Sequence, residues 1–330
     1  MAGALFLPLR WLGFILAGLC SMSVQAEWLK QSQDIMGTRV SVELWDPDNA
    51  HAAHCADLVF TEMHRINALM SPYLEDSELS TINRDAAIRP VPVSAELYAL
   101  IEQSIQFSDL SHGAFDITFA SIGHQYDYRQ KIHPSTDVIQ QQLDRINYHQ
   151  LRLENQTVYF TKAGMRIDLG GIAKGYAVDR GISILKQCEI GHAIISAGGD
   201  SRILGDKLGR PWMIGIQHPR NKQAIALTLP LSDSAISTSG DYERYFLIND
   251  QRIHHIINPR TGESAGGSWS ATVIGPDATS TDALSTTLFI LGADKGIELI
   301  NTLDDMDAVV IDANGKIHFS SGLTAPEEQG

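Results

Sequence analysis

Apolar and polar residues alternate through residues 35–45, with Val40, Val42 and Leu44 on one side, and a period of two predicts a strand. The period lengthens over 50–70 and 94–110, which predicts two helices, and Ser94 with Glu96 and Glu102 marks a capped start for the second. Residues 151–160 read as a hairpin turning at Asn155-Gln156. Val178, Ile182 and Leu185, spaced four and three apart, predict a helix over 172–188. Short strands are expected at 192–197, 212–217, 224–231, 243–248, 252–258 and 270–275, then helices at 279–291 and 293–303. The chain closes with a hairpin, 308–312 and 316–320, whose Asn314-Gly315 is a type I′ signal. Residues 121–135, with Gly, His, Tyr and Pro and no clear period, predict a long loop. Helices cluster early and strands late, without βαβ alternation, so the pattern favours α+β over a doubly wound parallel sheet.

Composition narrows the function classes. The 330 residues are 44% hydrophobic and 19% charged, which excludes an intrinsically disordered chain. Lys and Arg number 25 against 39 Asp and Glu, a net charge of −14. Such a chain is a poor partner for nucleic acid or an anionic membrane surface, and a phosphate-bearing ligand would need a metal or backbone amides to enter its field. Residues 1–26 read as a signal peptide: Arg10, the apolar run from Trp11 to Leu19, then Val24-Gln-Ala26 before the expected cleavage. That run is shorter than the roughly 20 residues of a membrane-spanning helix. An uncleaved anchor is the alternative, and lipidation at Cys20 is disfavoured by Leu19, which stands where a small residue is wanted. Export implies a periplasm or similar compartment. The three cysteines exclude a disulfide scaffold; Cys55 and Cys188, on separate helices, are expected as buried free thiols rather than a disulfide, and without Cys-x-x-Cys neither a zinc nor a thiol-redox site is indicated.

No G-x-G-x-x-G, G-x-x-x-x-G-K-[ST] or H-E-x-x-H occurs, which disfavours dinucleotide dehydrogenases, P-loop enzymes and zincins. Six segments remain chemically suggestive, each open to a plain structural reading. Gly170-Gly171 before a helix, with Lys174 in its first turn, either presents amides to an anion or permits a tight turn. Asp282 and Thr286, four apart on one helix face, either hold a hard cation such as Mg²⁺ or serve the helix dipole. His254 and His255 face opposite sides of a strand, so at most one faces a site, where it could act as a general base near neutral pH. Ser234-Ala-Ile-Ser-Thr-Ser-Gly-Asp-Tyr242 either lines a polar ligand or ends a strand. In Gly113-Ala-Phe-Asp-Ile-Thr118, Phe115 suits the core and Asp116 a cap; Met36 and Tyr73 also suit a core.

Taken in order, MGTRVSVELW, SPYLEDSELSTIN, GAFDITFA, IDLGGIAKGYAVDR, SAGGDSRILG, STSGDYERYF, HHIINPRTG and TDALSTTLFILG resemble one family from Glu27 to Ser320. This is the FAD:protein FMN transferase family, the ApbE-type flavin transferases once named thiamine-biosynthesis lipoproteins. The resemblance implies an α+β fold of two lobes, with mixed or antiparallel sheets and flanking helices, a FAD cleft between the lobes, and one transferase unit over 27–330. It implies export to the periplasm and Mg²⁺-dependent transfer of the FMN half of FAD to a Thr or Ser hydroxyl of a target protein, releasing AMP. Targets are then flavoprotein subunits with a Ser/Thr-rich motif, such as those of Na⁺-pumping NADH:quinone reductase or Rnf-type complexes, and membrane association would come only through an N-terminal anchor. By resemblance, Asp282, Thr286 and the backbone carbonyl of Ala177 are metal ligands, and Met36, Tyr73, Ala114, Phe115, Asp116, Lys174, Arg180 and Ile256 contact FAD. His255 is the general base, with His254 the weaker choice. One departure is Asn258-Pro where the family usually has Asp-Pro, which would matter if the acid orients the base. FAD hydrolysis to FMN and AMP, and a non-catalytic periplasmic FAD carrier, are the rival readings.

Overall fold

The computed structural model describes residues 27–323, so the targeting segment 1–26 lies outside the described residues. The strand expected at 35–45 is the second half of a hairpin: β1 (Leu29–Ile35) and β2 (Thr38–Trp45) pair antiparallel. They turn at Met36 and Gly37, whose φ angles of 55° and 70° are the left-handed pair that a tight hairpin turn requires. Val40, Val42 and Leu44 are fully buried, as their alternation predicts. Helices α1 (Asn49–Met70), α2 (Glu78–Asp85) and α3 (Ala95–Leu110) follow, with the two-residue β3 (Val91–Pro92) before α3. Ser94 caps α3 by accepting the Leu97 amide. The expected loop 121–135 holds the end of the short α4 (Ala120–Gly123) and a bridge between Asp127 and Ile132, and α5 (Thr136–Gln142) leads to the hairpin β4 (Leu151–Glu154) and β5 (Thr157–Phe160). Asn155 and Gln156 both take positive φ there, as the hairpin reading requires.

After α6 (Ala173–Gln187) come β6 (His192–Ala197), β7 (Asp200–Leu204), β8 (Trp212–Gln217), β9 (Ile225–Leu231), β10 (Ala235–Gly240), β11 (Tyr245–Ile248), β12 (Gln251–His254) and β13 (Ser268–Gly275). Helices α7 (Ala278–Leu291) and α8 (Ala293–Ile300) precede β14 (Asp307–Asp312) and β15 (Ile317–Phe319). Eight strands form one antiparallel sheet in the order β1-β2-β6-β7-β10-β13-β14-β15. The architecture is therefore α+β with antiparallel sheets, as the early helices and late strands imply. The last hairpin departs from expectation: Gly315 alone has positive φ, and the Gly315 amide bonds the Asp312 carbonyl at 3.0 Å. That is a type I turn closed by a left-handed glycine, and Asp312 Oδ1 secures it by accepting the amides of Asn314 and Lys316.

Two apolar clusters meet across the sheet. One packs α1, α2, α3 and α6 on β2 and β6; the other packs α7 and α8 on β13 and β14. The close contact of α6 with α7 joins them, and the residues facing that seam are those the sequence marks as chemical. Among the described residues no helix is long and apolar enough to cross a membrane. Cys55 and Cys188 are both free thiols, Cys55 buried and Cys188 half-buried. Burial and the facing Cys188 push the Cys55 thiol up to about 12.

Candidate active site

The Asp168-Leu-Gly-Gly-Ile-Ala-Lys174 turn is held from outside before α6 begins. Asn83 of α2 grips Ile167 at both ends, its Oδ1 accepting the Ile167 amide at 2.7 Å and its Nδ2 donating to the Ile167 carbonyl at 2.9 Å. Asp168 Oδ1 accepts the Gly170 amide at 2.6 Å. Gly171 fits between Phe115 and Thr286: a Cβ there would lie 3.3 Å from both the Phe115 ring and Thr286 Oγ1. The helix then starts without a cap of its own, because Ile172 offers no side-chain acceptor.

Asp282 of α7 supplies the missing cap, accepting the Gly175 amide at 3.0 Å. Asp179 of α6 reciprocates, accepting the amides of Ala278 and Thr279 at the start of α7 at 2.9 and 2.8 Å. Each helix therefore satisfies the other's N-terminus, and the approach leaves no room for a side chain at Gly175. A ladder of hydroxyls fixes α7 on β10: Ser237 to Thr281 at 2.8 Å, and Ser239 to Ser285 at 2.9 Å and to Thr286 at 3.2 Å. The ambiguous Ser-Thr-Ser segment is thus a strand whose alternate hydroxyls position the Asp282 helix.

Lys174 Nζ lies 2.7 Å from Asp200 Oδ2 and 3.2 Å from both oxygens of Asp282. Burial alone would lower the Lys174 pKa, but the two carboxylates outweigh it and keep the ammonium charged. Burial and the neighbouring Asp200 push Asp282 up to about 7. Two buried carboxylates sharing one ammonium carry an excess negative charge, which a further cation would relieve. The donors nearby are all hard oxygens, the Asp282 carboxylate and the Thr286 hydroxyl, which suits Mg²⁺ rather than a soft metal. The two side chains pass that test, and Ala177, whose carbonyl the resemblance offers as a third ligand, lies in the second turn of α6 with its methyl group buried. Asp282 bonds the Gly175 amide, and Thr286 lies beside Gly171.

Opposite this cluster, the β1–β2 turn reaches across to the segment after β10. Arg244 donates to the Gly37 carbonyl at 2.8 Å, and its own carbonyl accepts the His255 amide at 3.1 Å. The strand expected over 252–258 ends at His254, the last residue of β12, and His255 stands in the bend that follows. His254 is consumed by the fold: Nε2 donates to the Ala265 carbonyl at 2.7 Å, Nδ1 accepts the Ile256 amide at 3.3 Å, and the ring meets Phe289 edge-on. His255 Nδ1 is buried without a partner. Burial, followed by Arg244, His254 and Lys174, lowers the His255 pKa to about 3, so the imidazole is neutral at neutral pH. The sign of its linkage to folding follows: between pH 6.5 and 3 the unfolded chain protonates this histidine and the folded one does not. Its contribution is complete above about 6.5 and is lost as pH falls towards 3. His255→Gln should flatten that limb of a plot of Tm against pH, and an unchanged acid limb would reject the assignment.

Tyr73 stands 83% exposed, in the fields of Asp168, Arg244 and Arg129. An exposed tyrosine over a charged cleft suits stacking on a planar ligand. Met36 forms the hairpin tip beside Gly37. Phe115 is buried beside Gly171 and edge-on to Phe107, and Ala114 is buried as well. Contacts and charge fields thus tie Phe115 and Thr286 to Gly171, Lys174 to Asp282, and Tyr73, His255 and the Met36-Gly37 turn to Arg244, in one neighbourhood. Other expected contacts are used elsewhere. Asp116 spends its carboxylate on Thr118 and the Tyr148 amide. Arg180 turns to the opposite side of α6, where it pairs with Glu62 at 3.2 Å, and Ile256 packs in the second core cluster. Asn258 Oδ1 accepts the Arg260 amide at 2.9 Å and makes no bond to His255, so the amide serves the turn. Nothing in the sequence spacing of Asp200 and Arg244 ties them to Lys174 or His255.

The ApbE family profile matches residues 36–310. A FAD:protein FMN transferase of Treponema pallidum is 30% identical over 327 residues, covering 93% of this chain and 90% of that protein. The crystal structure of the ApbE protein of Thermotoga maritima superposes with a TM-score of 0.83 at 33% identity, covering 90% of this chain and 98% of that one. The flavin transferase ApbE of Vibrio cholerae gives a TM-score of 0.80 at 26% identity with the same coverage.

Proposed function

The chain belongs to the ApbE family, and from that membership we propose that it transfers the FMN half of FAD to a Thr or Ser hydroxyl of a target protein, releasing AMP, with Mg²⁺ as the required cation. The observation that supports this reading most is the cluster itself, where cationic Lys174 and Arg244 lie near the neutral His255, whose Nδ1 is unpartnered, and Lys174 meets the oxygens of Asp282. Bound through Asp282 and Thr286, Mg²⁺ would supply charge stabilisation at the pyrophosphate. Lys174 and Arg244 attract the phosphates and offset the charge that builds on their oxygens during transfer. His255 accepts the proton of the incoming hydroxyl as its oxygen bonds to the FMN phosphorus. The bond from that phosphorus to the AMP phosphate breaks, and AMP leaves. Phosphates seated between Arg244 and Lys174 would cancel the two cationic contributions that depress His255, making it a stronger base with substrate bound. Tyr73 covers the flavin ring, and the glycines of the Asp168–Lys174 turn leave space beside Thr286.

The proposal extends to the periplasm as the site of action, by way of residues 1–26, and to flavoprotein subunits of Na⁺-pumping NADH:quinone reductase or Rnf type as targets. Incubating the protein with FAD, Mg²⁺ and a target fragment bearing a Ser/Thr-rich motif should give a fluorescent covalent product and one AMP per label. A competent target left unlabelled would reject the transferase reading, and AMP released with only free FMN would make the chain a hydrolase. His255→Ala should bind FAD normally, as read by flavin fluorescence, yet lose transfer by about 10²–10⁴-fold. Transfer at the original rate would remove His255 from the base role.

A further inference from the structure

At the other end of α6 lies a second group of ligating side chains. α1 carries His51 and Cys55 one turn apart on the same face, and Cys188 is the C-cap of α6. Packing of α1 on α6 brings His51 Nε2, Cys55 Sγ and Cys188 Sγ within 4.8 Å of one another. The helical rise from Lys174 to Cys188 is about 21 Å, so this group is separate from the flavin cleft. Cys-x-x-Cys spacing does not reveal it, because the two sulfurs meet only through helix packing.

The spacing fits metal coordination. Metal–sulfur and metal–nitrogen bonds of about 2.3 and about 2.0 Å at a tetrahedral angle place sulfur and nitrogen about 3.5 Å apart. Cys55 Sγ lies 3.5 Å from His51 Nε2. Asp46 Oδ2 lies 3.1 Å from His51 Nδ1. That contact holds the proton on Nδ1 and leaves the Nε2 lone pair aimed at the sulfurs, the outer-shell carboxylate arrangement of histidine metal ligands. Cys55 is buried, while His51 is 40% exposed at its side chain and Cys188 half-buried, so one side is open to solvent.

We propose that His51, Cys55 and Cys188, with Asp46 behind His51, form a binding site for a thiophilic divalent cation of the Zn²⁺ class, with water in the fourth position. On binding, each thiol S–H bond breaks, its proton passes to solvent, and the sulfur lone pair bonds the cation; no electron changes hands. The site ties the start of α1 to the end of α6.

The purified chain, reduced and freed of metal with a chelator, is titrated with Co²⁺ and then Zn²⁺. A near-ultraviolet thiolate-to-cobalt band should saturate at one equivalent and bleach when Zn²⁺ is added. Cys188→Ser, at a partly exposed position, should abolish the band, and Asp46→Asn should weaken binding about 10-fold or more. Zn²⁺ should raise Tm in the parent and not in Cys188→Ser. Asp282→Asn should keep the band, which separates this site from the oxygen ligands of the cleft. No band from the reduced parent, or a band that survives Cys188→Ser, would overturn the proposal. So would loss of both thiols to a disulfide in air that bound Zn²⁺ does not prevent.

Discussion

Asp282→Asn should cut FMN transfer by about 10³-fold or more and remove its dependence on Mg²⁺, while leaving the fold in place. The substitution is nearly isosteric. Its amide oxygen still accepts the Gly175 amide, now bonded at 3.0 Å, so α6 keeps its cap. Lys174 loses one of its two carboxylate partners but retains Asp200 at 2.7 Å. What disappears is the negative charge, and with it the one anionic donor on the α7 face that carries Thr286. A neutral amide and a hydroxyl hold a hard dication far more weakly than a carboxylate and a hydroxyl. AMP release followed against Mg²⁺ concentration, alongside Tm, tests this directly. If release and its Mg²⁺ dependence stay at the parental level with Tm unchanged, Asp282 is not the metal ligand, and its role reduces to capping α6 and pairing with Lys174.

What the sequence made legible follows the physics of each element. Where a segment is covered on one face, as β2 is with Val40, Val42 and Leu44 inward, alternation alone places it. β7 and β10 show no such pattern. They lie in mid-sheet, and β10 presents hydroxyls to α7, so Ser237 and Ser239 are held by other hydroxyls and look polar to a periodicity argument. The site follows the same rule. Asp282 and Thr286 could be paired because four residues on a helix is a local relation. Asp200 and Arg244 could not, because they reach Lys174 and Gly37 across the sheet. The expected strand over 252–258 stops at His254, so it is the bend after β12 and not alternation that parts His255 from it, and only the Ala265 carbonyl shows which of them the fold consumes. Arg180 shows the converse limit. It shares a motif with Lys174, yet six residues along a helix is not a whole number of turns, and it pairs with Glu62 on another face. Cys55 and Cys188 likewise meet only through the contact of α1 with α6.

Among the glycines of the described residues, an added methyl group meets the closest obstacle at Gly175, so Gly175→Ala should be strongly destabilising. A Cβ at this position would overlap the Ala278 carbonyl oxygen and lie 2.6 Å from the Ala278 carbonyl carbon and 2.8 Å from Asp282 Cβ. Two of these three obstacles are backbone, so no rotamer change relieves the clash, and α6 and α7 must move apart. Movement is costly here because the seam is doubly pinned. It would stretch the Gly175–Asp282 bond and, on the other side, the Asp179 bonds to the amides of Ala278 and Thr279. Overpacking a well-filled core typically costs about 1–3 kcal/mol. Adding the loss of reciprocal caps, at about 1 kcal/mol each, gives about 3–5 kcal/mol in total. At about 2–3 °C per kcal/mol for a chain of this size, Tm should fall by roughly 6–15 °C. The higher helix propensity of Ala, about 1 kcal/mol in its favour, acts in the opposite direction and cannot offset a backbone overlap. Thermal unfolding with and without FAD and Mg²⁺ measures both consequences. Tm should drop in each condition, and the gain from ligand should shrink, because parting α6 from α7 also separates Lys174 from Asp282 and Gly171 from Thr286. An unchanged Tm would mean that the two helices do not approach each other as closely as their reciprocal capping requires. The same result would remove the physical basis for placing Asp282 and Thr286 beside the glycine turn.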